Sequence, residues 1–192
     1  MAMSGVGALA RGRDAFARGS WSETYQALMA ADSATPLEPE DLERLAAAAN
    51  LVGEDATCID ALTRAHHGFL ERADSIAAAR NAVRLAFTMF ERPALQSQAT
   101  GWLARARRLF DECATDCADR GFLLCAEAFL RVRSNDPAGA ESLFGQAVEV
   151  GARFKNRDVI ALARHVAASS GVISSSVLVY MSRSSFRMTR AS

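Results

Sequence analysis

The feature that most constrains the fold of this chain is a pattern of small and large residues that returns along it. In its first copy the small residue Thr24, the large apolar residue Leu28 and the small residue Ala31 follow the turn residue Gly19. The same three positions recur as Cys58, Leu62 and Ala65, then as Ala99, Leu103 and Ala106, and last as Ala140, Phe144 and Ala147. The successive offsets in sequence number are 34, 41 and 41. Because a small residue holds the first position throughout, we expect helices to cross closely there.

Alanine supports a helical interpretation of each copy. It dominates the chain up to residue 168 and appears only once afterwards, as Ala191. Alanine is the strongest helix former and packs readily between close helices. We therefore predict an all-α fold that consists of four helical hairpins and one extra helix. The predicted helices lie near residues 5–18, 20–32, 39–52, 55–71, 75–91, 94–112, 118–133, 137–153 and 157–168.

Three local signals mark helix starts in this register. Ser20 and Glu23 have the spacing of a capping box, in which each side chain satisfies a backbone amide at the start of the helix. The other two starts combine a first-turn proline with a neighbouring acid, at Pro39-Glu40-Asp41 and at Asp136-Pro137. Both combinations suit the first turn of a helix, where amides are unpaired and negative charge is favoured.

The first offset, 34, equals the period of tetratricopeptide repeats, and the residue types resemble the paired antiparallel helices of that family. The first unit matches the family's packing, turn, aromatic and closing positions with Gly12, Gly19, Trp21, Leu28, Ala31 and Pro36. The second unit keeps Ala46, Gly53, Cys58, Leu62 and Ala65, but it has Asp55 at the aromatic position and Leu70 at the proline position. The third and fourth units are longer, with Ala94 and Asn135 at the turn. The resemblance implies a right-handed array of antiparallel hairpins that forms one domain over residues 1–168.

A narrower resemblance is to the N-terminal helical-repeat region of actinobacterial LuxR-family transcriptional regulators. It rests on the segments Ala15–Gly19 with Trp21, Leu37–Leu45 and Gly101–Leu109, and it covers about residues 8 to 165. In that family a C-terminal helix-turn-helix follows the array and binds DNA. Because no glycine-turned pair of amphipathic helices follows residue 168, we do not extend DNA binding to this chain.

The composition changes abruptly at Ser169. Nine of the last 24 residues are serine, none is acidic, and Arg183, Arg187 and Arg190 make the segment basic. Short β-branched and apolar runs between the serines are poorly suited to continuing an alanine-rich helix. We interpret residues 169–192 either as a flexible tail or short pairing strand, or as the product of a frameshift or truncation that removed the DNA-binding module.

Charge and hydropathy exclude several classes of function. The formal net charge is zero, so no global field attracts nucleic acid or an anionic membrane. No stretch approaches the roughly 20 apolar residues of a membrane-spanning helix, and the first residues do not form a signal peptide. We therefore expect a cytoplasmic protein whose four cysteines are free thiols.

Few residues are candidates for chemistry. The cluster of Cys113, Cys117 and Cys125 lacks the paired spacing of common zinc motifs, and no sequence argument brings His66 or His67 near it. The two histidines are adjacent on a helix and point about 100° apart, so they do not act together on one atom. We predict no catalytic residue, no metal and no cofactor. A small thiol- or metal-dependent protein is the less favoured alternative.

A basic patch and a lone histidine are also interpreted as structural. Arg105, Arg107 and Arg108 lie on one predicted helix, but Asp111 and Glu112 follow at once, which favours a solvated helix face over a nucleic-acid site. His165 stands alone on an apolar helix. We therefore predict no direct, specific DNA binding by this chain and no membrane contact.

The expected binding surface is the concave face that the first helix of each hairpin lines in tetratricopeptide arrays. The predicted partner-binding residues on it are Glu43, Asn50, Asn81, Arg84, Phe122, Cys125, Phe129 and Arg133. A peptide with an apolar anchor near the two phenylalanines would fit this face. The alternative is that Phe122 and Phe129 pack against the next helix.

Together these patterns predict a non-enzymatic helical-repeat interaction module, the sensory or protein-interaction part of a LuxR-type regulator. Its expected partner is a protein or peptide, with a small effector or a second copy of the chain as further options. A regulator remnant without output is the alternative.

Overall fold

The all-α fold class is as predicted. A computed structural model describes residues 5–90, 92–113 and 115–168, and in these residues it contains helices and connections but no strand. The helices are α1 (Gly5–Arg18), α2 (Trp21–Ala34), α3 (Pro39–Val52), α4 (Asp55–Glu71), α5 (Ser75–Phe90), α6 (Gln96–Glu112), α7 (Asp119–Arg133), α8 (Pro137–Arg153) and α9 (Arg157–Ala168). A short 3₁₀ helix at Pro93–Leu95 precedes α6. The predicted segment 169–192 lies outside the described residues.

The repeat register agrees with the structure. The helices α2, α4, α6 and α8 begin at positions 21, 55, 96 and 137, so their starts reproduce the three offsets found in the sequence. The turn residues Gly19 and Gly53 have φ of 74° and 84°, a conformation that costs glycine little and other residues more. Asn135, at the turn of the fourth unit, also has a positive φ of 57°. The repeat copies therefore coincide with helical hairpins.

All three predicted helix starts coincide with the beginning of a helix, and two of them have the expected local chemistry. Pro39 occupies the first turn of α3, and the Asp136 carboxylate accepts a hydrogen bond from the Gly139 amide at 2.9 Å. The prediction of a capping box at Ser20 was wrong, because the serine side chain makes no capping hydrogen bond. Its predicted partner Glu23 instead accepts from Arg18 at 2.9 Å.

The chain divides into two compact units. Unit 1 is Met1–Asp74 and contains the hairpins α1/α2 and α3/α4, with further packing of α3 on α2 and α1. Its core is rich in alanine, and its largest fully buried side chains are Leu28, Leu45, Leu62 and His66. The prediction of one domain over residues 1–168 stays a prediction beside this division.

Unit 2 is Ser75–Ser192, and its described part contains the hairpins α5/α6 and α7/α8. The helix α7 also packs on α5, and α9 packs on α8 and α7. Its core is also rich in alanine, but its largest fully buried side chains are the phenylalanines Phe87, Phe90 and Phe110. Nearly all of α5 is buried, including polar residues.

None of the helices that the structure describes has both the length and the hydropathy to cross a membrane.

Candidate functional site

The predicted partner-binding residues of unit 1 lie on α3. Glu43 is buried, with 5% of its surface exposed, and Asn50 is half-buried in the last turn of the helix. The buried face of α3 faces the other helices of its own unit, so Asn50 is the more accessible of the two.

The predicted residues of unit 2 are mostly inside it. On α5, Asn81 and Arg84 are buried, and the Asn81 amide donates to the Ala77 carbonyl at 2.9 Å. On α7, the side chains of Phe122, Cys125 and Phe129 are also buried.

Packing explains the burial of Phe129. Its ring lies 5.1 Å from the Phe90 ring, and the exposed Arg133 guanidinium lies 5.7 Å from its ring centroid. Phe129 thus has a packing role, although its aromatic partner lies on α5 and not on the helix that follows α7. Of the eight predicted residues, Arg133 is the one that is exposed and Asn50 is partly exposed; partner binding by the set stays a prediction.

The three cysteines of unit 2 do not form a site within the described residues. No group of three or more His, Cys, Asp or Glu side chains in the described part of the chain is placed to hold a metal ion. Burial raises the pKa of Cys125 to about 12. Burial and the nearby Asp119 charge also raise the pKa of Cys117, although backbone hydrogen bonds oppose the shift. Both shifts disfavour the reactive thiolate.

Each arginine of the basic patch on α6 contacts a carboxylate or an aromatic ring of the same unit. Arg107 forms a two-pronged ion pair with Glu127 on α7, which raises the pKa of the arginine, and Arg108 lies 3.8 Å from Glu112. Arg105 stacks over Trp102, with its guanidinium carbon 4.6 Å from the ring centroid. The three arginines are exposed, and their interpretation as a solvated helix face stays a prediction.

A cleft that the sequence reasoning missed lies in unit 1, between α4 and the α2–α3 connection. It has a volume of about 350 Å³, and we call it the α4 cleft. Its lining residues are Pro36, Leu37, Glu38, Pro39, Leu42, Arg64, His67, Gly68, Glu71 and Arg72. This volume is within the range of small-ligand pockets, about 300–1,000 Å³.

Gly68 determines how closely the two walls of the α4 cleft approach. A Cβ added at Gly68 would lie 2.6 Å from Cγ of Pro39, a distance that real Cβ atoms essentially never have. Pro39 lies in the first turn of α3, and its ring fixes the backbone angle φ there. The missing side chain at Gly68 therefore allows α4 to pack directly against the beginning of α3.

Arg64 is a charged residue at one end of the cleft. Its two terminal nitrogens donate to the two Asp32 oxygens at 2.7 Å each, and Asp60 lies 3.4 Å away. Hydrogen bonding to Asp32 raises the pKa of Arg64 despite partial burial. The same contact lowers the pKa of Asp32, with the Leu37 amide contributing a further hydrogen bond at 3.0 Å. This network ties the α2–α3 connection to α4.

Arg72 is the corresponding charged residue at the other end. It donates to the Glu40 carboxylate at 2.9 Å and also pairs with Glu38. Arg64, Gly68 and Arg72 are spaced four positions apart, so they form one stripe along α4. That stripe, opposite the two prolines Pro36 and Pro39, is the sequence signal that could have located the cleft.

A smaller and more apolar cleft of about 220 Å³ lies on the other side of the same connection. Pro36, Leu37 and Glu38 line both clefts, and Gly5, Val6, Leu9, Ala31 and Thr35 complete the smaller one. Val6 is 81% exposed, so the smaller cleft is open to solvent on this side.

Comparisons with protein-family models, curated proteins and solved structures find no match to this chain. The tetratricopeptide and LuxR resemblances therefore stay predictions from the sequence.

Proposed function

We propose that the chain is a non-enzymatic helical-repeat module that binds a protein or peptide, as the sensory or interaction part of a LuxR-type regulator would. The α4 cleft is the observation that carries this proposal. It is bounded by two helices and a connection of unit 1, and ion pairs of Arg64 and Arg72 join its walls. Such a preformed surface reduces the ordering cost that a partner would otherwise meet.

The accessible chemistry of the described residues favours binding over catalysis. Burial raises the pKa of the Cys125 thiol to about 12, and thiolate chemistry requires the deprotonated form. The carboxylates with lowered pKa values, Asp32 and Asp41, are engaged with arginines of the same unit. These groups hold helices together and are not presented to a substrate.

Selection from a random peptide library against the full chain tests the proposal. Recovered peptides would be measured by isothermal titration calorimetry, and we expect at least one sequence class with a Kd on the order of micromolar. If no recovered peptide binds more tightly than about 1 mM, the peptide-binding proposal fails.

DNA binding is tested separately, because a regulator fragment could act through either kind of partner. Fluorescence anisotropy with random-sequence duplex DNA should give no nanomolar affinity at low salt. A nanomolar affinity that falls steeply with salt would contradict the proposal, since that dependence reports phosphate contacts.

A further inference from the structure

The chain has a net charge of zero because its two units carry opposite charges of equal size. Unit 1, Met1–Asp74, has twelve acidic and six basic side chains, whereas Ser75–Ser192 has ten acidic and sixteen basic ones. Unit 1 therefore carries a formal charge of −6 with histidine neutral. A partner of unit 1 meets this local field and not the average over the chain.

Around the α4 cleft carboxylates also outnumber arginines, although only Glu38 and Glu71 among these carboxylates line it. Arg64 pairs with Asp32 and Asp60, and Arg72 pairs with Glu38 and Glu40. Each guanidinium is thus already matched by two carboxylates. An anionic ligand entering the cleft would have to displace them.

Glu71 adds a further carboxylate to the rim. It is exposed and lines the cleft, and among the residues that the structure describes it has no hydrogen-bond or ion-pair partner. Glu38 is also exposed. Because Arg72 donates to Glu40 as well, it can keep an ion pair when Glu38 turns to a ligand.

The deeper part of the cleft is apolar. Leu37, Pro39 and Leu42 are buried residues that line it between the charged ends. A ligand that fits both parts combines an aliphatic segment with a positive end. Arginine and lysine side chains have this composition, and they commonly lay their methylene stems on apolar surfaces while the charged group stays solvated.

We infer that the α4 cleft binds an arginine or lysine side chain from a basic segment of a partner protein. The methylene stem lies over Leu37, Pro39 and Leu42, and the cationic group pairs with Glu71 and Glu38. This inference rests on the proposed function and specifies the chemistry of the partner. An acidic segment is disfavoured because the carboxylates of the cleft and of unit 1 repel it.

Nuclear magnetic resonance titration of the full ¹⁵N-labelled chain tests the inference. The probes are three short, end-blocked peptides of one sequence frame, with leucine beside arginine, glutamine or glutamate at the variable positions. The arginine peptide should shift the amide signals of Leu42, His67 and Glu71 saturably, and added salt should weaken its binding. The glutamine and glutamate peptides should bind more weakly, in that order.

Two variants that each remove one negative charge test whether the arginine peptide binds at the α4 cleft. Glu71→Gln should weaken binding of the arginine peptide by about three-fold, the effect of losing one exposed ion pair. Glu54→Gln should leave it unchanged, because Glu54 precedes α4 and Glu71 ends it, about 25 Å away along the helix axis. Circular dichroism melts of both variants check that they fold.

The outcomes separate this inference from the proposed function. If the glutamine peptide binds as well as the arginine peptide, or if Glu71→Gln has no effect, the inference is wrong. If library-selected peptides bind with micromolar affinity but shift signals away from the α4 cleft, the inference is wrong while the binding function stands. If no peptide binds anywhere, both fail.

Discussion

The two units pair helices in the same way but fill the space between them differently. Only Phe16 and Phe69 are phenylalanines in unit 1, whereas the described part of unit 2 has seven. The helices α4 and α5 have 17 and 16 residues where α2 and α3 have 14 each, and the connection after α5 is longer than the turn at Gly53. The longer second offset therefore comes from longer helices in both units, α4 in unit 1 and α5 in unit 2, whereas the larger aromatic side chains belong mainly to unit 2.

Both units bury charged side chains, such as Asp41 in unit 1 and Arg84 in unit 2, but their ion pairs between hairpins differ in exposure. In unit 1 the Asp41 side chain is 1% exposed and accepts from Arg13 on α1 and from Arg44 on its own helix. In unit 2 the Arg107–Glu127 pair joins α6 to α7 at the surface. The carboxylate of the ion pair in unit 1 is therefore more deeply buried than that of the pair in unit 2, whereas unit 2 has more aromatic side chains in its core.

The largest expected effect follows from the aromatic core. Phe90 is 2% exposed and contacts Phe87 and Phe129, with ring centroids 5.9 and 5.1 Å away. We expect Phe90→Ala to lower the unfolding free energy of unit 2 by about 3–5 kcal/mol, because it removes apolar burial and leaves a cavity. Hydrogen exchange measured by mass spectrometry should show lost protection in α5–α7.

The matched control is Leu62→Ala in unit 1, where Leu62 is 1% exposed. It should reduce the protection of α1–α4 and leave α5–α9 unchanged. Equal loss of protection in both units from either variant would show that they unfold together, which would remove the basis for comparing them as separate units.

Replacing a glycine by alanine should lower the unfolding free energy at Gly68 in unit 1 and raise it at Gly101 in unit 2. Gly68→Ala places a Cβ 2.6 Å from Pro39, and we expect overpacking to cost about 2–3 kcal/mol. Gly101→Ala meets no atom within 4 Å on the exposed face of α6, so its higher helix propensity should stabilise by about 0.5–1 kcal/mol. Urea unfolding measures both. A stable Gly68→Ala variant would mean that α3 and α4 can separate at the α4 cleft without cost.

Much of the fold was predictable because its signals are local. Turn residues such as Gly53 and first-turn prolines such as Pro39 act within a few positions, and they located the helices closely. The capping box does not form, because the Ser20 hydroxyl makes no capping bond and Glu23 accepts from Arg18 instead. A local pattern indicates which residues can form a hydrogen bond, but it does not show which of several possible partners a side chain binds in the fold.

The binding surfaces were less predictable because burial and clefts are tertiary properties. Asn81 and Thr88 look like solvent-facing residues, yet each bonds to the carbonyl four positions earlier and lies buried in unit 2. The α4 cleft depends on contacts such as that of Arg64 with Asp32, which lie far apart in the chain. No pattern in a single sequence indicates that these two residues contact each other.

The ion pairs of the buried Asp41 carboxylate should make the stability of unit 1 depend on pH. Burial raises the pKa of Asp41, but hydrogen bonds and charges of Arg13 and Arg44 outweigh burial and lower the pKa below its ordinary value of 3.8. Ionised Asp41 therefore stabilises unit 1 above about pH 4, and this contribution is lost as pH falls through the lower folded-state pKa. We expect Asp41→Asn to cost about 1–2 kcal/mol at pH 7.

Urea unfolding of unit 1 signals at pH 7 and at pH 3 measures this effect. The gap between the Asp41→Asn variant and the original chain should narrow at the lower pH, because below pH 3.8 the unfolded chain takes up a proton at Asp41 more readily than the folded chain does. A gap that stays constant with pH would assign the loss to packing and not to charge.

The smallest effect is expected for the surface pair of unit 2. Arg107 is 52% exposed in its side chain, so Arg107→Gln should cost less than about 1 kcal/mol, and added salt should reduce the difference further. Arg108→Gln is the control, because its 3.8 Å contact with Glu112 is exposed on both sides and should contribute nothing measurable. Urea unfolding at low and high salt compares the two. A loss above about 2 kcal/mol for Arg107→Gln would mean that the ion pair between α6 and α7 stabilises unit 2 as much as the pair between α1 and α3 stabilises unit 1. The two units would then differ only in the side chains of their cores.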